Sequence, residues 1–128
     1  MTDGQSEFDG CVISESLRDH TLINRLHVWK AWISPHEVLS DDAGSMQLWH
    51  IYWISCDEAE IDRIHRELKP WRWYAHFWRD RRMIIVYCDA RFEVDRTDRS
   101  TWAPAIEHGR GKGIPEEQLD FLILPHDA

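Results

Sequence analysis

Between Gln47 and Leu68 the spacing of apolar residues changes once, and that change sets the class of fold. From Gln47 to Ser55 the chain alternates, with Trp49, Ile51 and Trp53 on one side and Leu48, His50, Tyr52 and Ile54 on the other. This is the period-two pattern of a strand with both faces at least partly covered. From Asp57 onward Ile61, Ile64 and Leu68 recur at i, i+3 and i+7, one stripe of a helix. Asp57, Glu58, Glu60 and Asp62 precede Arg63, Arg66 and Lys69. That order complements the helix dipole, and Ser55 or Asp57 stands where a cap is needed. Pro70 ends the helix.

Strand character recurs elsewhere. Residues 22–34 are rich in Val, Ile, Leu and Trp and end at Pro35. Residues 71–78 and 83–94 read as two strands of a hairpin joined by Arg79-Asp-Arg-Arg82, and a short strand is expected within residues 10–17. Residues 35–45, with Pro, Asp-Asp and Gly, read as a loop. A second helix is expected from Asp98 or Ser100, carrying Trp102, Ala105 and Ile106, with Pro104 in its first turn. Gly109, Gly111 and Gly113 end it. Ile114-Pro115 then re-enters the core, and residues 121–124 offer a last edge strand.

From Gln47 the order β-α-β-β-α predicts an α+β domain, an antiparallel sheet of four or more strands with two helices on one face. This is the ferredoxin-like split βαβ pattern. Residues 1–9 are expected to form an acidic tail, 10–124 a single domain and 125–128 a polar tail.

Composition excludes several classes of function. The longest apolar run, Met83 to Cys88, has six residues, against the roughly 18 of a membrane helix. The N-terminus carries Asp3, Glu7 and Asp9 and shows no secretory pattern. Three scattered cysteines without a C-x-x-C argue for a reducing, cytoplasmic setting. A net charge of −8 argues against general binding to nucleic acid or anionic membrane. Gly109-Arg-Gly-Lys-Gly113 follows the second helix, whereas phosphate loops open one, and it lacks Walker spacing. No cofactor is expected, and there is no G-x-S-x-G.

Sorting each strand by its period of two divides the sheet into two faces. One collects Trp49, Ile51, Trp53, Trp73, Ala75, Phe77, Ile84, Val86 and Cys88, and is expected under the helices. The other collects Leu48, His50, Tyr52, Tyr74, His76, Trp78, Ile85, Tyr87 and Asp89, aromatic bodies with polar tips. Residues 22–34 cannot be assigned a face this way. Eight Trp and eight His in the chain make this second face the candidate site.

The leading expectation is a small-molecule-binding module, or a homodimeric interaction module, using His50, Tyr52, Tyr74, His76 and Trp78. The alternative is an enzyme. In it His50 is general acid or base beside Tyr74 as hydrogen-bond donor, His76 is a further candidate, and Asp89 orients a histidine. A bland reading, rings packed on one another with each polar tip satisfied locally, competes with both. A metal site across His27, His50, His76 and Asp89 has no local ligand spacing to support it, so no metal is expected. The segment 63–82 holds seven basic residues interleaved with Trp71, Trp73, Tyr74, Phe77 and Trp78. That composition suits stacking on single-stranded RNA and ranks third, because the net charge opposes it.

Several segments together resemble a known set of proteins. They are Gly10 through Glu15-Ser-Leu17, Trp49-His50, Trp73-Tyr-Ala-His-Phe77, Phe92-Glu-Val-Asp-Arg96 and Gly113-Ile-Pro-Glu-Glu-Gln-Leu-Asp-Phe121. The chain resembles a family of small uncharacterised bacterial and archaeal proteins ending in a G-I-P-x-x-Q-[LV]-D-F motif. In such relatives the residue equivalent to His76 is often acidic. The resemblance implies a single-domain cytosolic protein and supplies no activity.

Overall fold

The computed structural model describes residues 7–121. Its main element is a six-stranded antiparallel sheet. The strands are β1 (Phe8–Ile13), β2 (His27–Ile33), β5 (His50–Cys56), β6 (Tyr74–Arg79), β7 (Arg82–Tyr87) and β8 (Ala90–Asp95). Their spatial order is β2-β5-β1-β6-β7-β8. A separate two-stranded ribbon pairs β3 (Val38–Leu39), inside the expected loop, with β4 (Met46–Gln47), just beyond it, so Gln47 belongs to the ribbon and the strand expected from Gln47 begins at His50. The final strand expected at 121–124 falls, beyond Phe121, outside the described residues.

The first helix follows its sequence signals closely. α1 (Glu58–Glu67) begins with a reciprocal cap: Glu60 N–H donates to the Asp57 carboxylate at 2.8 Å, and Asp57 N–H donates to Glu60 Oε1 at 2.9 Å. Both free N–H groups are thereby satisfied. Ile61, Ile64 and Leu68 are fully buried, each worth about 2 kcal/mol of apolar burial. They pack on Phe8, Val12, Ile54, Cys56, Ala75, Phe77, Ile84 and Val86.

The second helix arises from a 3-10 turn, Arg99–Trp102, that continues into α2 (Ala103–Gly111) with Pro104 in its first turn. Its buried residues sit among Trp78, Met83, Ile85, Tyr87 and Val94. The Tyr87 hydroxyl donates to the Ala105 carbonyl at 2.7 Å and ties helix to sheet. Met83, Ile85 and Tyr87 alternate along β7 with Ile84 and Val86, which meet α1. The two helices therefore lie on opposite faces of the sheet, contrary to the expectation that they share one. The sheet departs from the ferredoxin-like arrangement in this respect. The reason is visible in β6 and β7, which are buried on both sides, so each face demands its own cover.

Three further expectations change. The segment 83–94 is two strands, because the chain turns at Cys88-Asp89. β1 starts at Phe8, inside the expected tail, and forms a middle strand of the sheet, between β5 and β6. β5 and β6 flank it and are joined through α1, so one split βαβ unit is present. Residues 22–34 divide into a 3-10 turn, His20–Arg25, and the edge strand β2. Among the described residues no helix is long and apolar enough to cross a membrane.

Candidate functional site

Register decides which of the candidate side chains meet. β1 pairs Gly10 with both Ile54 and Phe77, and Cys11 with both Trp53 and His76. Residues paired across a ladder share a face. His50 and Tyr52, which alternate with Ile51 and Trp53, therefore lie on the α1 face with Ile54. Tyr74, His76 and Trp78 lie on the α2 face with Trp53 and Cys11. The five candidates split into two groups, and His50 does not stand beside Tyr74. Alternation had sorted β6 and β7 correctly but set β5 one residue out of phase.

His50 is instead held by Glu15 from the turn after β1. Glu15 Oε1 accepts from the His50 backbone N–H at 2.7 Å, and Glu15 Oε2 lies 2.7 Å from His50 Nδ1. This clasp anchors the start of β5. Asp89 does orient a histidine, but it is His108 on α2, at 2.9 Å, with Lys112 Nζ at 3.0 Å from the same oxygen. The charge-assisted bond to His108, then that to Lys112, lowers the Asp89 carboxyl to about 2. Among the described residues no group of three or more His, Cys, Asp or Glu is arranged to hold a metal ion.

The remaining candidates border a cavity. α2 covers the β6–β8 half of its face, and beside it the sheet opens into a hollow of about 480 Å³. The hollow lies where β1 and β2 end and β5 and β6 begin, over Cys11, Ile13, Ile51 and His76. Four tryptophans form its walls: Trp32 at the end of β2, Trp49 entering β5, Trp53 within β5 and Trp73 entering β6. Tyr74 and His76 are the two expected site residues that line it. His76 is 5% exposed, stacked on Trp78 at 5.3 Å and tilted against Phe121.

One wall, Trp49, is fixed by polar anchors behind it, and Trp71 is fixed beside it. Ser34 Oγ accepts from the Trp49 backbone N–H at 2.9 Å and donates to the His36 carbonyl at 2.9 Å. Trp49 Nε1 donates to Ser40 Oγ at 3.1 Å, and Trp71 Nε1 to Asp42 at 2.7 Å. Trp49, Trp73 and Trp71 then contact one another in sequence, with centroids 5.1 and 5.4 Å apart. Trp53 Nε1 is buried and has no hydrogen-bond partner among the described residues.

The chemistry of the reactive groups is muted. Burial, aided by the Asp120 charge, pushes the Cys11 thiol up to about 12, so it is protonated at neutral pH. The same two causes raise the Tyr74 phenol, whose hydroxyl donates to the Gln118 carbonyl. Arg72, Asp120, His36 and Gln118 complete the polar part of the lining.

Sequence reading placed Trp49 and Trp53 in the core and missed Cys11, Trp32, Arg72 and Asp120. The available signal was the gathering of Trp at strand ends. Of the basic–aromatic segment, Trp73, Phe77 and Trp78 are buried, Arg81 and Arg82 are paired with Asp95 and Glu93, and no exposed stacking row results. No family model matches the chain, and neither a curated protein nor a solved structure does.

Proposed function

We propose that this protein is a small-molecule-binding module whose ligand occupies the aromatic cavity over β1, β5 and β6. One observation carries the reading: the part of the sheet face beside α2 is a hollow walled by four tryptophans, of which Trp49 is anchored from behind by hydrogen bonds to Ser34 and Ser40. A preformed apolar hollow of this size with few polar groups suits a compact ring system. Each 100 Å² of apolar surface it removes from water contributes roughly 2.5 kcal/mol. Protonated Cys11 and the engaged hydroxyl of Tyr74 favour binding over covalent catalysis. The separation of His50 from Tyr74 leaves the acid–base alternative without its pair. Three free thiols, Cys11, Cys56 and Cys88, fit a reducing, cytoplasmic setting.

Titration with indole, followed by proton–nitrogen correlation spectra, tests the reading. Saturable shifts are expected at the indole N–H signals of Trp32, Trp49, Trp53 and Trp73, with Trp102 behind α2 unmoved. Trp32→Ala should weaken binding by about 1 kcal/mol. Absence of saturation, or shifts confined to other residues, overturns it.

A second reading, self-association, is favoured by an exposed apolar strip. Trp32 (47%), Ile33 (54%), Leu39, Met46 and Leu48 are all exposed along β2 and the β3–β4 ribbon. β2 is the sheet's edge among the described residues, and an edge strand offers free N–H and C=O groups to a second copy. Sedimentation of the native chain and Ile33→Lys tests this. A monomer at every concentration rejects it, whereas a dimer lost in the variant supports it.

A further inference from the structure

We propose that the ligand is a zwitterion, an amine carboxylate carrying a planar apolar group, the class to which aromatic amino acids belong. This rests on the binding reading above and adds the charge class that the cavity selects. The observation behind it is a pair of opposite charges that both line the hollow, neither in an ion pair among the described residues. Arg72 enters from the segment before β6, half-buried, with its guanidinium 5.2 Å from the Trp71 ring centroid. Asp120 enters from the turn after α2. Among the described residues neither forms an ion pair, although both line one cavity.

The field of Asp120 reaches inward, since it contributes to raising both the Cys11 thiol and the Tyr74 phenol. Charges that share an apolar-walled space act more strongly than the same charges in water.

Each simpler ligand class leaves part of this arrangement unmatched. A neutral ring uses the walls and neither charge. An organic anion meets Arg72 but also faces Asp120. An organic cation meets Asp120 and the tryptophan faces, which attract cations, but also faces Arg72. A zwitterion places its carboxylate towards the guanidinium, which offers a planar fork of donors. Its ammonium goes towards Asp120, and its ring lies among Trp32, Trp49, Trp53 and Trp73. The cavity of about 480 Å³ lies within the range that such small ligands use.

Calorimetric titration of the full chain with four 3-substituted indoles that carry different charged groups tests the inference. Tryptophan is the zwitterion, tryptamine the cation, indole-3-propionate the anion and 3-methylindole the neutral ring. Tryptophan is expected to bind about tenfold tighter than either singly charged compound. Asp120→Asn should bring tryptophan down to the level of indole-3-propionate, and Arg72→Gln should bring it down to that of tryptamine. A singly charged compound binding as tightly as tryptophan overturns the zwitterion, as does a preference that survives both variants. If 3-methylindole binds as well as the charged forms, the charge class fails and the binding cavity stands. If none of the four binds, both readings fall.

Discussion

Gly10 sits at the most crowded point of the sheet, and adding one methyl group there should be costly. It lies in β1 between Ile54 of β5 and Phe77 of β6. A Cβ built at Gly10 stands 2.4 Å from Phe77 Cδ1 and 2.9 Å from Cε1. Carbon atoms in contact prefer about 3.5–4.0 Å, so the ring must retreat by roughly 1 Å. Phe77 is fully buried in the same core cluster as Ile61 and Ile64 of α1. Overpacking a filled core costs about 1–3 kcal/mol, and alanine recovers about 0.4–1 kcal/mol by restricting the unfolded chain. The expected net destabilisation of Gly10→Ala is about 1 kcal/mol. Urea unfolding followed by tryptophan fluorescence should show a lower midpoint with an unchanged slope. Phe77→Leu narrows the obstacle, so the double variant should be at least about 1 kcal/mol more stable than the two single effects summed. A neutral Gly10→Ala, or strict additivity in the pair, refutes the claim that this ring sets the spacing of the central strands.

Other expectations follow the same logic. Gly109→Ala on α2 places a methyl 2.5 Å from Leu119 Cδ2 and 2.8 Å from the Tyr87 hydroxyl. The gain in helix propensity of about 1 kcal/mol should be exceeded, giving a melting temperature several degrees lower, and Leu119→Ala should relieve the loss. Glu15→Ala strips both partners from His50 and should cost about 2 kcal/mol in denaturant melts. Glu15→Gln, which keeps an acceptor for the backbone N–H, should cost less. The Asp89 carboxyl titrates near 2 when folded and near 3.8 when free. Its contribution is therefore complete above about pH 4 and lost as pH falls through 2. Asp89→Asn should flatten the urea midpoint across that window, and an unchanged acid limb would show that the contacts to His108 and Lys112 contribute nothing.

Legibility in the sequence followed how local each determinant was. α1 was readable to within a residue because its stripe, its Asp57–Glu60 cap and Pro70 all lie inside fifteen consecutive positions. The helix stop at Gly109–Gly113 and the buried return at Ile114 were local too. The turn at Cys88-Asp89 carries neither Gly nor Asn, so nothing local marked the break between β7 and β8. The phase of β5 was unreadable for a different reason. Trp53 and Ile54 are both buried, one towards α2 and the other towards α1, so apolarity alone gives no sign of which side is which. Pairing with β1 resolves it, and β1 itself is six residues whose place between β5 and β6 depends on contacts far along the chain. Three of the five expected site residues, Tyr74, His76 and Trp78, do share one face, and the cavity on that face is lined as well by Trp49 and Trp53, which alternation had assigned to the face under the helices.

The placement of β1 also has a consequence for how the chain is born. β1 leaves the ribosome before both of the strands that flank it, which are made dozens of residues later. Until β5 and β6 emerge, Phe8, Val12 and Ile13 have no ladder to join, and closing those long loops must precede any reward from pairing. A nascent chain of this design waits with its keystone unseated. Masking of the early apolar stretch by a chaperone, or a slowed pace of translation after Cys56, should therefore change the yield of native protein more than either would for a meander built in order.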